Sequence, residues 1–186
     1  MKAALIIFEG MTSLDFIGFY DPVTRLKTLG LMPDFEWRIC ALQPRIADDR
    51  GLGIIANSVA ESLAGFDLLF IPGGFATRTL QHDREFVAWL RSAAPAPLKT
   101  SVCTGALLLG AAGFLEGRRA TTHPKALQDL VQYGRVVPAE RVVDDGEVIT
   151  AAGVSASLDL GLHVVQRLAG AEAGAKIAAQ MDYPYR

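Results

Sequence analysis

The sequence predicts an α/β fold, a mostly parallel sheet covered by helices on both faces, and three observations carry this. Short β-prone runs alternate with segments of helical character. The first run, residues 3–8, is apolar throughout, as a strand buried on both faces requires. Turn-forming residues mark the junctions: Gly10, the Pro72-Gly73-Gly74 triplet and Gly105. Strand, helix and parallel strand imply right-handed crossovers, which place helices on both faces. Ligands in such sheets collect at the carboxyl ends of the strands.

After strand 3–8, the turn 10–13 leads into a helix over about 14–29, with Thr12 or Ser13 as its cap and Pro22 as a potential kink. A second strand covers 37–42. Residues 45–57 contain Asp-Asp-Arg-Gly-Leu-Gly and read as a hairpin-like excursion. A third strand, 67–71, ends at Pro72-Gly73-Gly74. Phe86, Val87, Trp89 and Leu90 give 83–94 an apolar helical face. The fourth strand, 98–102, runs straight into Cys103, Thr104 and Gly105, where an apolar helix begins. A helix starts near Pro124, a residue tolerated in a first turn, and continues over 127–133. Val142-Val143 and 148–151 flank the turn Asp144-Asp145-Gly146-Glu147. Helices over 154–168 and 171–181 close the chain. A single domain over residues 1–186 is expected, without repeats or linkers.

Bulk composition narrows the function. With 51% hydrophobic and 20% charged residues, the chain has the balance of a globular protein able to bury a core. A net charge of −2 with no basic tract argues against a nucleic-acid partner. The two cysteines, Cys40 and Cys103, are too few for a disulfide framework, so a cytoplasmic location is expected. The apolar start is cut short at Glu9-Gly10. The longest uncharged stretch, 100–115, contains three glycines and falls short of a membrane span, so no membrane partner is expected.

The strand–turn–helix around Cys103 is the most informative local feature. A helix N-terminus carries about half a positive charge and favours thiolate over thiol, so this position suits a nucleophile. Cys40, inside a predicted strand, reads as core. The Gly74 amide, with one near Cys103 or Thr104, is a candidate holder of developing negative charge, and an ordinary Pro-Gly-Gly turn is the alternative. Residues 105–110 have the first glycine spacing of a phosphate loop, but Ala111 stands where its lysine belongs.

Asp15 lies between Leu14 and Phe16, and apolar surroundings raise a carboxyl pKa, which would make it a proton donor. A helix-start aspartate serving the macrodipole is the equal alternative, with Asp21 as a nearby competitor. His123 reads as a helix-start or supporting residue ahead of a base for Cys103. His82 and His163 read as structural or surface residues, and the role of Asp159 is open. The dispersed histidines and cysteines offer no metal-ligand spacing, and no cofactor is expected.

Taken together, Leu14-Asp15, Ile71 to Gly74, Ser101-Val102-Cys103-Thr104-Gly105, Ala120-Thr121-Thr122-His123 and the stretch 155–159 resemble the ThiJ/PfpI superfamily, also called the DJ-type family, over residues 3 to about 168. The resemblance implies a flavodoxin-like three-layer sandwich of the class I glutamine amidotransferase type, a cysteine on a nucleophile elbow and commonly a homodimer. Within it, Ser-Val-Cys-Thr-Gly followed by Leu-Gly-Ala-Ala-Gly and Gly-Arg-Arg-Ala-Thr-Thr-His is most similar to the isocyanide hydratases, which convert an isocyanide to an N-substituted formamide. Their functional aspartate, nucleophile and threonine match Asp15, Cys103 and Thr104. The chain departs from them at Pro124, where they usually carry an aromatic residue, and in ending earlier, at Arg186. Protease relatives place a histidine directly after the cysteine, where this chain has Thr104. Related regulators carry a DNA-binding domain, which is not expected after Arg186. The implied function is cysteine-dependent hydration of an isocyanide. A glyoxalase- or amidase-type reaction and a non-catalytic redox-sensing or binding role are the alternatives.

Overall fold

The computed structural model describes residues 1–138 and 140–184. Ala139 and the last two residues, Tyr185 and Arg186, lie outside the described residues.

The chain opens with β1 (Lys2–Ile6), α1 (Ser13–Thr28) and β2 (Glu36–Ala41). A hairpin of β3 (Arg45–Ala47) and β4 (Gly53–Ile55) follows, then β5 (Ser58–Val59) and β6 (Leu68–Ile71). Next come α2 (Thr77–Leu80), α3 (Arg84–Arg91), β7 (Leu98–Val102) and α4 (Gly105–Ala111). β8 (Arg119–Ala120) precedes a 3-10 turn at Pro124–Ala126, α5 (Leu127–Leu130) and β9 (Arg135–Val136). The last elements are β10 (Val142–Asp144), β11 (Val148–Ala151), α6 (Ala156–Ala169) and α7 (Ala171–Gln180).

Seven strands form one sheet in the order β10-β11-β7-β6-β1-β2-β5. Every neighbouring pair is parallel except β10 with β11. Helices α1, α6 and α7 pack together on one face, and α2 to α5 cluster around α4 on the other. The predicted α/β sandwich is thus the observed one. Strand order reverses between β1 and β6, and the loops leaving β1, β6 and β7 meet at that crevice. No helix among the described residues is long and apolar enough to cross a membrane.

The core explains the rigidity of this end. β1, β6 and β7 are buried almost throughout. Phe19 on α1 stacks on Phe70 on β6 at 3.9 Å between ring centroids, both with no exposed surface. Burying each ring is worth about 2–3 kcal/mol. Helix α1 is also keyed to α6 by small residues. A Cβ at Gly161 would lie 2.4 Å from the Pro22 ring, and one at Gly18 would lie 2.0 Å from the Ser157 hydroxyl. Pro22 therefore fills a notch on α6, and α1 continues past it to Thr28.

Two further local expectations are corrected. Thr12 occupies the N-cap position of α1, but its side chain makes no capping bond; Thr12 donates to Asp49 Oδ2 at 3.4 Å and Ser13 to Asp48 Oδ2 at 2.6 Å, tying the helix start to the β3–β4 turn. Asp48 also receives the Arg50 and Leu52 amides, which fixes that turn. The helix expected over 127–133 ends at Leu130.

Candidate active site

The turn after β7 holds Cys103 at φ 55°, a left-handed conformation rare outside glycine and costing on the order of 1–2 kcal/mol. Its backbone is clamped there. The Cys103 amide donates to Ala151 O (3.0 Å) and Ala152 O (2.7 Å), and its carbonyl accepts from the Thr122 hydroxyl (2.7 Å). The reversal from strand to α4 directs the chain so that Cys103, Gly73 and Asp15 meet. A Cβ added at Gly73 would lie 2.7 Å from Asp15 Oδ2, 2.7 Å from the Thr104 nitrogen and 2.8 Å from Cys103 Cβ.

Asp15 is fully buried, and its Oδ2 accepts the Gly73 amide at 2.8 Å. Its Oδ1 is equally buried and has no hydrogen-bond partner among the described residues. Burial raises the Asp15 pKa to about 7, opposed by hydrogen bonds from Gly73 and Cys103 and assisted by the charge of Asp49. The raised carboxyl pKa expected from its apolar neighbours is present.

The expected ionised thiol is not. Burial pushes Cys103 up to about 12, the Asp15 charge pushes the same way, and hydrogen bonds from the Thr104 amide and hydroxyl oppose it. Cys103 is only 6% exposed, and α4 is a seven-residue helix. Desolvating a sulfur anion outweighs the partial charge of so short a helix. Burial and the neighbouring acid thus both favour the thiol over the thiolate.

The glycine amides are also placed differently from expectation. Gly73 N–H is engaged by Asp15, and Gly74 N–H donates to the Thr104 hydroxyl at 3.0 Å. That hydroxyl in turn donates to Gly74 O at 3.0 Å. Neither amide is free to hold an oxyanion. Gly74 has φ 143°, and a Cβ there would lie 2.6 Å from Gly10 O, so only glycine fits. Thr104 thus bonds to the Gly74 backbone through its hydroxyl and meets the sulfur through its amide.

His123 Nδ1 accepts the Lys125 amide at 3.2 Å and so caps the 3-10 turn. His123 lines the small cavity of about 200 Å³ that also exposes Cys103, Thr104 and Gly74. The groups that dominate the ionisation of Cys103 are Asp15 and Thr104, so the His123-as-base alternative gains no support. The remaining candidates lie apart. Asp21 pairs with Arg25 at 2.9 Å, and Asp159 takes Arg141 at 2.9 Å and the Tyr183 hydroxyl at 2.6 Å. His163 meets Asp144 at 2.8 Å, and His82 is exposed. Cys40 is buried with its thiol pushed up to about 11 by desolvation, an inert core residue. No three His, Cys, Asp or Glu side chains among the described residues are grouped to hold a metal.

Reading by sequence passed over Thr122, which steadies the Cys103 backbone, and Arg50, Arg78 and Lys125, which line the cavity. The Thr121-Thr122 pair within the family-like motif was the available signal for the first. The three cations are too scattered along the chain to give one.

Gly73 offers a direct test of this packing. Gly73→Ala is expected to wedge the acid away from the sulfur and to cost about 1–3 kcal/mol of stability through overpacking. Thermal denaturation and turnover, measured together, should both fall; an unchanged melting temperature would contradict the crowding.

The chain matches the DJ-1/PfpI family over residues 1–167. It is 33% identical to the isonitrile hydratase of Pseudomonas putida over 98% of this chain and 78% of that protein. Protein DJ-1alpha of Drosophila melanogaster is 25% identical over all of this chain and 85% of its own. The crystal structure of a ThiJ/PfpI family protein from Pseudomonas syringae superposes with a TM-score of 0.87, at 31% identity, over 100% of this chain and 76% of that one.

Proposed function

The chain belongs to the DJ-1/PfpI family, and from that premise we propose that it is a cysteine-dependent hydratase converting an isonitrile and water to an N-substituted formamide. One observation carries the reading: a fully buried carboxyl with a pKa near neutrality and an unpartnered oxygen, set against the thiol. Such a group is matched to move a proton at pH 7.

The chemistry follows from where the proton rests. With the thiol pushed up to about 12, a free thiolate is scarce, so sulfur attack and proton departure to Asp15 proceed together. The sulfur bonds to the terminal isonitrile carbon, and the proton taken up by Asp15 passes to that same carbon, giving a thioimidate on Cys103. Asp15 then takes a proton from a water molecule as its oxygen adds to the carbon. Asp15 gives that proton to nitrogen, the carbon–sulfur bond breaks as the carbonyl forms, and the proton of the added hydroxyl passes to sulfur. The sum is one isonitrile plus one water giving one formamide, with no change of oxidation state at the enzyme. Thr104 steadies the sulfur, and the Thr122 bond holds the Cys103 backbone through both steps.

The engaged amides favour this reaction over the carbonyl alternatives. Attack on an isonitrile builds charge on a carbon that is at once protonated, whereas amide or aldehyde chemistry builds an oxyanion that needs free donors. Gly73 and Gly74 have spent theirs on Asp15 and Thr104. A redox-sensing role is disfavoured because oxidation proceeds through the thiolate. A homodimer fits the exposed Leu14 and Ile17 on α1, which a second copy would cover. The expected partner is a small molecule, without nucleic acid or membrane.

Offered separately p-nitrophenyl isocyanide, methylglyoxal and simple amides, the protein is expected to consume only the first, with the formamide identified by mass spectrometry. Turnover of methylglyoxal or an amide with none of the isocyanide would overturn the assignment.

A further inference from the structure

The wall of the catalytic cavity has a charge pattern that the hydration chemistry does not use. Arg50 from the β3–β4 turn, Arg78 from α2 and Lys125 from the 3-10 turn all line it, against the single acid Asp49. In a chain of net charge −2 this is a local reversal of sign. The Asp49 charge is taken up by Arg50 at 2.8 Å, and Arg78 reaches Asp129 at 3.8 Å. Lys125 has no carboxylate within 4.0 Å among the described residues. Nor do the cations tune the nucleophile, whose ionisation is governed by burial, Asp15 and Thr104. Their field therefore acts on what enters the cavity. Beside them Phe75, 79% exposed, has the Arg78 guanidinium 5.6 Å from its ring centroid. An aromatic ring standing this far into solvent at a cavity mouth is a ready platform for an unsaturated or aromatic ligand.

We propose that the substrate is a small isonitrile carrying a carboxylate at the end remote from the isocyano carbon, with Lys125 and Arg78 receiving the anion and Phe75 its hydrocarbon body. The inference rests on the hydratase reading and names the substrate class within it. A cavity of about 200 Å³ suits a compact molecule. Opposite charge at such a mouth raises capture as well as affinity, and both weaken with salt.

The test compares kcat/KM for 4-isocyanobenzoate, its methyl ester and phenyl isocyanide at low and high ionic strength. The acid is expected to be preferred by about tenfold or more, the worth of one hydrogen bond to a charged group. The preference should shrink in salt and fall toward unity in Lys125→Gln and Arg78→Gln, while Lys125→Arg retains it. Equal turnover of acid and neutral compounds would overturn the inference and leave the hydratase reading intact. If none is turned over, the hydratase reading fails, and calorimetry with 4-formamidobenzoate and its methyl ester decides the anion site independently. Tighter binding of the carboxylate that is lost in Lys125→Gln upholds the site; equal binding removes it.

Discussion

Replacing Cys103 by alanine is expected to lower kcat/KM for p-nitrophenyl isocyanide at least about a thousandfold, because no other group in the cavity can form the covalent intermediate. The change is read as loss of the absorbance signal of substrate consumption. The substitution should leave the fold standing. It removes one sulfur atom from a 6% exposed position, and the clamp on the Cys103 backbone, from Ala151, Ala152 and Thr122, involves no side-chain atom of residue 103. Full activity in the alanine variant would end the assignment of the nucleophile. A loss of activity with a collapsed melting temperature would point instead to a folding defect, which Cys103→Ser, close in size, would help to separate.

Asp15→Asn is expected to lower turnover at least about a hundredfold, since an amide can accept the Gly73 bond but cannot carry the proton. It has a second signature in stability. Asp15 titrates near 3.8 when unfolded and near 7 when folded, so the folded state holds the proton more tightly. Its contribution is full below pH 4 and is lost as pH rises through 7, by on the order of a few kcal/mol. Asp48 and Asp144 run the other way, with pKa values lowered by hydrogen bonds, and cost stability as pH falls. The difference in melting temperature between wild type and Asp15→Asn therefore isolates Asp15. It should move in favour of the variant between pH 4 and 8, and parallel curves would remove the buried-acid assignment.

What was legible before the structure follows from range. Strand 3–8, the helix over 83–94 and the elbow at Cys103 are written in neighbouring residues, and each was found within a few positions. β5, β8 and β9 are two residues long and exist through pairing to distant partners, so no periodicity announces them. Thr12 and Ser13 have good capping chemistry, but Asp48 and Asp49, far along the chain, took their hydroxyls. The thiol illustrates the same limit. A helix start is a local feature and burial is a global one, and here the global one dominates. The burial of Asp15 comes from the loop after β6 and the elbow after β7, far along the chain, and the use of the Gly73 and Gly74 donors likewise depends on Asp15 and Thr104 being in place.

The meshing of α1 with α6 has a reach beyond packing. Asp15 rides on the first turn of α1, and the stance of that helix is set about one and two turns further along, where Gly18 admits Ser157 and Gly161 admits Pro22. The approach of carboxyl to sulfur on which the proposed proton transfer depends is thus held by side chains outside the cavity. A lineage of such proteins would be able to retune its acid by trading one methyl group along that seam, leaving every residue of the reaction centre untouched.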